Sequence, residues 1–477
     1  MTEKKKFDAI VIGAGPGGYP CAIRLAQLGK KVAIIEKETV GGVCLNVGCI
    51  PSKAMIKAAS FFEKMQKADG MGFKVKGVDV DFKGLQEWKR SVVSKLTGGV
   101  GQLLKGNKVE LIQGDASFVS KNELVIKSKA GTQNITADHI VIAVGSSPIE
   151  LPNFKFDEKN IISSTGALDI DKPVSSMVVV GGGYIGLEIG TYMAKLGTSV
   201  TVLEAMPRLL ATYDQDVATL VGRSLKKRNV NVLANAVAKS VKEAKGGMLK
   251  VDVEVEGKLQ TIECEKVLVT VGRKPNPMAG IEKTGVLVDA KGFIKVNDQL
   301  KTNVPGIYAI GDVAGQPMLA HKATKEALVV ADVIAGKKTK YDIKAMPAVI
   351  FCEPEVATVG LSEMEAKAKG ITSFAGSFPF AALGKAIASG ETDGFTKLIG
   401  DKKTGRLIGA AIVGPEASTM IAEMALAIEA GLQLEDIALT VHAHPTMGEA
   451  TMEAAEVALG HAIHMINRPQ AGGPSPH

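Results

Sequence analysis

The chain has 477 residues, 46% of them hydrophobic and 22% charged, with a formal net charge of +7 at pH 7. That length and composition exclude a disordered chain and a single-core domain, and imply roughly two to four globular domains. The small positive balance, with lysines scattered among acids, excludes a nucleic-acid footprint, and no apolar run approaches the roughly 18 residues of a membrane span.

The chain opens "MTEKKKFDAI". Lys4, Lys5 and Lys6 read as a solvated tail, and no apolar signal-peptide core follows them, so a soluble, cytoplasmic protein is expected. The segment "FDAIVIGAGPGGYPCAIRLAQLGKKVAIIE" reads as an apolar strand, a tight glycine turn, a helix from about Pro16 to Leu28, and a second strand ending in Glu36. Gly13, Gly15 and Gly18 form G-x-G-x-x-G. The first permits the turn, the second lets backbone approach a pyrophosphate, and the third allows close helix-to-strand packing. Glu36 stands where a carboxylate can accept hydrogen bonds from both ribose hydroxyls. Pro20 and Cys21 break the apolar pattern of this helix, and a helix starting at Pro16 would lose a hydrogen bond at Pro20 in its second turn.

Next comes "VGGVCLNVGCIPSKA", in which Cys44 and Cys49 stand five positions apart at the start of a helix. Five cysteines without a secretory signal argue against a structural disulfide framework. Cys21, Cys264 and Cys352 read as small core residues. The close pair leaves three readings open: a redox dithiol, two buried thiols, or part of a metal site. A metal would want further ligands, and neither His nor Cys occurs between Cys49 and His139, so no metal is expected. A thiol at a helix N-terminus is expected to ionise readily, which suits disulfide exchange. Lys53 falls one helical turn after Cys49 and would face the same side.

The first unit then repeats as "SMVVVGGGYIGLEIGTYMAKLGTSVTVLE", with Gly181, Gly183 and Gly186 as its glycines, and Tyr184 and Ile185 between the last two. Glu204 follows Gly181 at the same interval as Glu36 follows Gly13. Two such sites mean that electrons pass between two bound dinucleotides, or that one site has decayed into scaffold. "DHIVIAVGSSP" and "EKVLVTVGRKP", the latter containing Gly272, return the chain to its sheets. "GIYAIGDVAG" ends at Gly311 and Asp312, a carboxylate at the carboxyl end of a strand, where α/β sheets bind ligands. From Ala348 shorter strands alternate with helices and the glycine fingerprint is gone. The expected domains are 1–150, 151–276, a central region 277–347 and a C-terminal domain 348–467, with a disordered Pro/Gly-rich tail at 468–477. In "VHAHPTMGEATMEAAE", a histidine can act as a base near neutral pH and a carboxylate can fix its tautomer. Thr446 followed three residues later by Glu449 reads as a capping box for the last helix. His442 is a rival base, and His461 and His464 read as helix-face residues.

These motifs, in this order, resemble the pyridine-nucleotide disulfide oxidoreductases over about Phe7 to Asn467, with "GGVCLNVGCIPSK" the most specific element. The resemblance implies an α/β protein of glutathione-reductase-like architecture, with two Rossmann-like FAD- and NAD-binding domains and a C-terminal α+β dimerisation domain. It places FAD at the first fingerprint with Lys53, Gly311 and Asp312, and the nicotinamide cofactor at the second with Tyr184, Ile185, Glu204 and Gly272. Cys44 would be the outer, interchange thiol, Cys49 the inner thiol against the flavin, and Lys53 a cation near the reduced ring. His444 would be the base and Glu449 its partner, reaching the active site of the other subunit of an obligate homodimer. Tyr184 fits either a cover for the nicotinamide pocket or a helix-packing residue.

Among branches of the family, the one that oxidises dihydrolipoamide and reduces NAD fits best. Glu204 repels the extra phosphate of NADP, and "EAMPRLL" offers only Arg208 nearby. Mercuric reductases add a cysteine pair near the C-terminus, and none follows Cys352; the transhydrogenase branch lacks the pair at Cys44 and Cys49. The implied partners are the lipoylated acyltransferase of 2-oxo acid dehydrogenase complexes or the lipoyl carrier of glycine cleavage. With no lipoyl domain ahead of the first fingerprint, substrate is expected on another protein's arm. A flavin-binding subunit without turnover is the competing reading, and it leaves Cys44, Cys49, His444 and Glu449 without a joint purpose.

Overall fold

A computed structural model describes residues 5–466; Lys4 and the expected tail at 468–477 lie outside the described residues. The chain divides into two compact units. One comprises Met1–Phe61, Ala68–Pro173 and Val271–Asp342, the other Phe62–Lys67, Val174–Thr270 and Ile343–His477. The cut falls at 173/174 and not at 150/151. The segment after the first sheet stays with that sheet: Ser146–Pro148 pairs with Arg273–Pro275, and the buried Gln86 and Lys89 hold the Leu168 carbonyl.

The first unit is built on a seven-stranded sheet. Glu110–Gln113, Val32–Glu36, Lys5–Ile12 and Gly131–Ile142 run parallel in that order. Every residue of Val32–Glu36 is buried, as expected of a parallel strand covered on both faces. The long strand Gly131–Ile142 serves two neighbours: its first half pairs antiparallel with Glu123–Ser128, its second half parallel with Ile307–Ala309. The second pairing delivers Gly311 and Asp312 to the carboxyl end of the sheet, beside the first glycine turn. The first helix spans Gly18–Gln27, not Pro16–Leu28. Pro20 is therefore its third residue, where an N–H has no intrahelical acceptor, and the expected loss of a hydrogen bond in the second turn does not occur. Cys21 is fully buried in the core between sheet and helices.

In the second unit Asn231–Leu233, Ser199–Leu203, Ser176–Val180 and Lys266–Val269 form a parallel sheet in that order, and an antiparallel meander of Ala236–Glu243, Leu249–Val255 and Lys258–Cys264 is inserted in the chain between Asn231–Leu233 and Lys266–Val269. The C-terminal part is a five-stranded antiparallel sheet ordered Ala348–Ile350, Val356–Gly360, Leu407–Val413, Phe395–Asp401, Ser373–Pro379. Helices Ala417–Ala430 and Glu449–Leu459 contribute Met420, Met424, Ala454 and Ala458 to its core. Buried Lys397 reaches Asp214 and Asp216 at 2.8 Å and Glu363 at 3.0 Å, fastening the C-terminal sheet to the helix after the second fingerprint. The last helix stops at Leu459, because Gly460 takes a left-handed φ of 82° and ends it. His461 and His464 lie beyond that helix and not on its face. No described helix is long and apolar enough to cross a membrane.

Candidate functional site

The first glycine turn is shaped by contacts that only hydrogen at Cα permits. Gly13 has φ +98°, and a Cβ there would stand 2.4 Å from the Ala143 carbonyl oxygen; a Cβ on Gly18 would overlap the Gly13 oxygen. Gly15 meets no such obstacle, so its backbone is open to a ligand. Glu36 is buried, with Oε2 accepting the Ala14 N–H and Oε1 the Glu38 N–H, each at 2.8 Å. These bonds fix the acid at the lip of the turn. The cradle fits a dinucleotide, and helix Ala320–Ile334 closes its side: Thr324 Oγ1 donates to the Pro16 carbonyl at 2.9 Å. Gly311, at φ +75°, carries the chain into a short 3-10 turn that presents Asp312, whose Oδ2 accepts a hydrogen bond from the buried Ser146 hydroxyl.

The cysteine segment is attached directly to that turn. The Gly41 N–H donates to the Ala14 carbonyl at 2.8 Å, and Gly42 packs so closely that a Cβ on it would lie 2.7 Å from Gly15 Cα. Asn46 Nδ2 ties the segment together through the carbonyls of Gly42 and Val40. Cys44 stands on helix Gly42–Val47 and Cys49 opens helix Cys49–Gln66. Both are thiols, and their side chains hydrogen-bond to one another. The expected depression of thiol pKa does not hold for Cys44. Its hydrogen bond to Cys49 holds it well above the ordinary range, burial adds to this, and the Lys53 ammonium opposes it. A thiol proton held between two sulfurs is harder to lose.

The second fingerprint repeats the hydrogen bonds of the first. Gly13 N–H donates to Ile35 at 2.8 Å, and Gly181 N–H to Leu203 at 2.9 Å. Glu204 Oε2 accepts the Gly182 N–H at 2.9 Å and Oε1 the Met206 N–H at 2.8 Å, as Glu36 does with Ala14 and Glu38. Gly186 presses on the Gly181 oxygen, while space around Gly183 is open. Tyr184 and Ile185 begin helix Tyr184–Lys195, and the Tyr184 side chain is exposed. Arg208 donates to the carbonyls of Ala211 and Tyr213 at 3.0 and 2.7 Å, so its guanidinium is committed to its own loop. Gly272 falls in the first unit, where its carbonyl accepts the Ile149 N–H.

In the second unit His444 and Glu449 meet, Nδ1 to Oε1 at 2.8 Å. Glu449 opens the last helix, and its other oxygen accepts the Thr446 N–H at 2.8 Å. Only that half of a capping box forms, because the Thr446 hydroxyl donates instead to the Ala443 carbonyl. Burial pushes the Glu449 carboxyl up, but the Thr446 N–H and His444 outweigh it and hold it below the usual range. The His444 side chain is 75% exposed, leaving Nε2 open to a reactant. His442 has both ring nitrogens engaged, by the Thr440 carbonyl and Glu423. It is a poor rival.

Sequence reasoning missed the residues that hold this machinery. Arg273 donates to both the hydroxyl and the carbonyl of Ser146, and so stands behind Asp312. Asn276 donates to the Val144 carbonyl and accepts from Ser147. The signal was present in the paired strand ends "VGSSP" and "VGRKP", which differ in the residues that now bond each other.

Two family models match the chain: pyridine nucleotide-disulphide oxidoreductase over residues 7–327, and the dimerisation domain of the same proteins over residues 346–455. The dihydrolipoyl dehydrogenase of Geobacillus stearothermophilus is 52% identical over 462 residues, covering 97% of this chain and 98% of that protein. The protein of the same name from Halobacterium salinarum is 44% identical over 465 residues, at 97% and 98% coverage. Among solved structures, LpdA of Mycobacterium tuberculosis aligns with a TM-score of 0.87 at 26% identity, over 94% of this chain and 99% of its own. The HOCl-induced flavoprotein disulfide reductase RclA of Escherichia coli aligns with a TM-score of 0.84 at 26% identity, over 94% and 99%.

Proposed function

The chain belongs to the pyridine nucleotide-disulphide oxidoreductase family, and on that premise we propose that it oxidises protein-bound dihydrolipoamide to lipoamide and passes the electrons to NAD. The observation that carries the reading is the contact between Cys44 and Cys49 on a segment anchored to the first glycine turn. With the pair oxidised, a dihydrolipoamide thiolate attacks the Cys44 sulfur and Cys49 leaves as thiolate. The second substrate sulfur then displaces Cys44, closing lipoamide and leaving a reduced pair. His444 takes the proton released from the attacking thiol, and Glu449 holds the ring so that Nε2 is the free base. Lys53 places a cation beside the dithiol and favours the thiolate. Gly13, Gly15, Gly18, Glu36, Gly311 and Asp312 would hold FAD, which would supply the two-electron chemistry between dithiol and NAD.

The second cradle, Gly181, Gly183, Gly186 and Glu204 with Tyr184 and Ile185 at the helix start, would hold NAD. Glu204 disfavours the 2′-phosphate of NADP, and Arg208, spent on its own loop, offers no compensating charge. Gly272 serves the same cofactor by resemblance alone. The dimerisation domain makes the protein a homodimer; we assign His444 to the dithiol of the partner subunit. A lipoylated acyltransferase of a 2-oxo acid dehydrogenase complex, or the lipoyl carrier of glycine cleavage, brings the substrate.

The test is steady-state oxidation of free dihydrolipoamide by the FAD-loaded protein with NAD or NADP, against a Cys49→Ser control. Rapid NADH formation, weak activity with NADP and loss in the variant are expected. NADPH-driven reduction of a small disulfide, without dihydrolipoamide turnover, would overturn both the substrate and the role of Glu204.

A further inference from the structure

Behind the turn that presents Asp312 lies a buried ion pair that the proposed reaction does not use. Helix Ala320–Ile334 carries Lys322 and Glu326 one turn apart, Nζ to Oε1 at 2.8 Å, with side chains only 6% and 4% exposed. Their remaining bonds all go to the turn. Glu326 Oε2 accepts the Gly311 N–H at 2.7 Å, and Lys322 Nζ donates to the carbonyls of Gly311 at 3.4 Å and Gly315 at 3.2 Å. Gly311 and Gly315 have φ of +75° and +141°, conformations that glycine adopts cheaply and also leaves cheaply. One helical turn therefore grips both ends of a soft loop.

The same helix braces the first glycine turn. Thr324 Oγ1 donates to Pro16, and a Cβ built on Gly17 would stand 3.4 Å from Ala323 Cβ; one built on Gly311 would stand 3.3 Å from the same atom. A single rigid element thus sets the spacing between the glycine turn and Asp312. Stability alone does not account for the charges, since well-packed apolar residues of similar volume stabilise a core as well as a buried ion pair does. Burial pushes the Glu326 carboxyl up, while Lys322 and the Gly311 N–H oppose that push.

We propose that Lys322 and Glu326 are positioning residues for FAD, acting through Gly311 and Gly315 to hold Asp312 at a fixed distance from the first glycine turn. The inference rests on the reading that Asp312 holds the cofactor.

The experiment measures FAD release from the full-length holoenzyme on dilution, by the fluorescence of freed flavin, together with urea unfolding in excess FAD. The proteins are wild type, Lys322→Met, Lys322→Arg, the double variant Lys322→Met/Glu326→Leu, and Asp312→Asn. Lys322→Met should weaken FAD binding about tenfold or more, the loss of one charge-assisted contact, and Lys322→Arg should recover most of it. The double variant removes the stranded carboxylate. It should unfold within about 1.4 kcal/mol of wild type, the tenfold affinity difference converted, yet still release FAD fast. A double variant that retains FAD as wild type does would make the pair mere core filling and overturn the proposal. So would wild-type retention in Lys322→Met alongside fast release from Asp312→Asn. Wild-type retention in Asp312→Asn would instead sink the reading of Asp312 itself.

Discussion

Glu449 serves two purposes at once. Its Oε1 fixes the His444 tautomer by accepting from Nδ1, and its Oε2 satisfies the Thr446 N–H ahead of the last helix. The sequence left these as alternatives because both need a carboxylate at the same position. Glu449→Gln keeps the shape but can present an amide N–H to Nδ1, which would favour the wrong tautomer. Turnover of dihydrolipoamide should fall by about 10²-fold, with KM for NAD unchanged, in steady-state assays; an unchanged kcat would reduce Glu449 to a cap. Since its carboxyl sits below the usual range, Glu449 stays ionised across neutral pH.

At the scale of elements, the loop that carries His444 owes its position to one close approach. Helix Glu449–Leu459 lies on strand Ser373–Pro379 at Gly376, where a Cβ would come 2.2 Å from the Ala454 oxygen and 2.3 Å from the Ala458 nitrogen. Neither atom is the end of a flexible side chain. Gly376→Ala must lift the helix, and with it Glu449 at its first residue. Thermal unfolding should show a loss of about 1–3 kcal/mol, accompanied by reduced turnover; wild-type stability would mean the helix can shift freely. The first helix teaches the opposite lesson. Pro20 looked disruptive in sequence, but a start at Gly18 places it in the first turn, and a shift of two residues in a helix boundary changed the consequence entirely.

Across the second unit, charge clusters join segments far apart in the chain. Glu63 pairs with Lys67 at 2.7 Å, Arg228 at 3.2 Å and Lys195 at 3.3 Å. Burial pushes its carboxyl up, but Lys67, Arg228 and Lys195 together pull it down to about 2. The folded pKa lies below the ordinary value of 4.5, so the stabilisation is complete above that value and disappears as pH falls from 4.5 toward 2. The midpoint temperature should drop steeply over that window. In Glu63→Gln the drop should be shallower, with stability already reduced at pH 7; equal slopes in the two proteins would show that the cluster contributes nothing.

Both glycine fingerprints, their acids, the cysteine pair with Lys53 and the His444–Glu449 partnership were legible in the sequence. The fingerprints are local motifs whose strand-turn-helix geometry follows from residue spacing over a few turns, while the pairing of His444 with Glu449 and the parts given to Cys44, Cys49 and Lys53 came from the family resemblance. The Gly41 bond to Ala14, the chain from Arg273 through Ser146 to Asp312, and the grip of Lys322 and Glu326 on Gly311 were decided only by the tertiary structure. Those contacts join residues that share no periodicity, and between distant segments it is the packing of sheet and helices that determines which polar groups must satisfy one another.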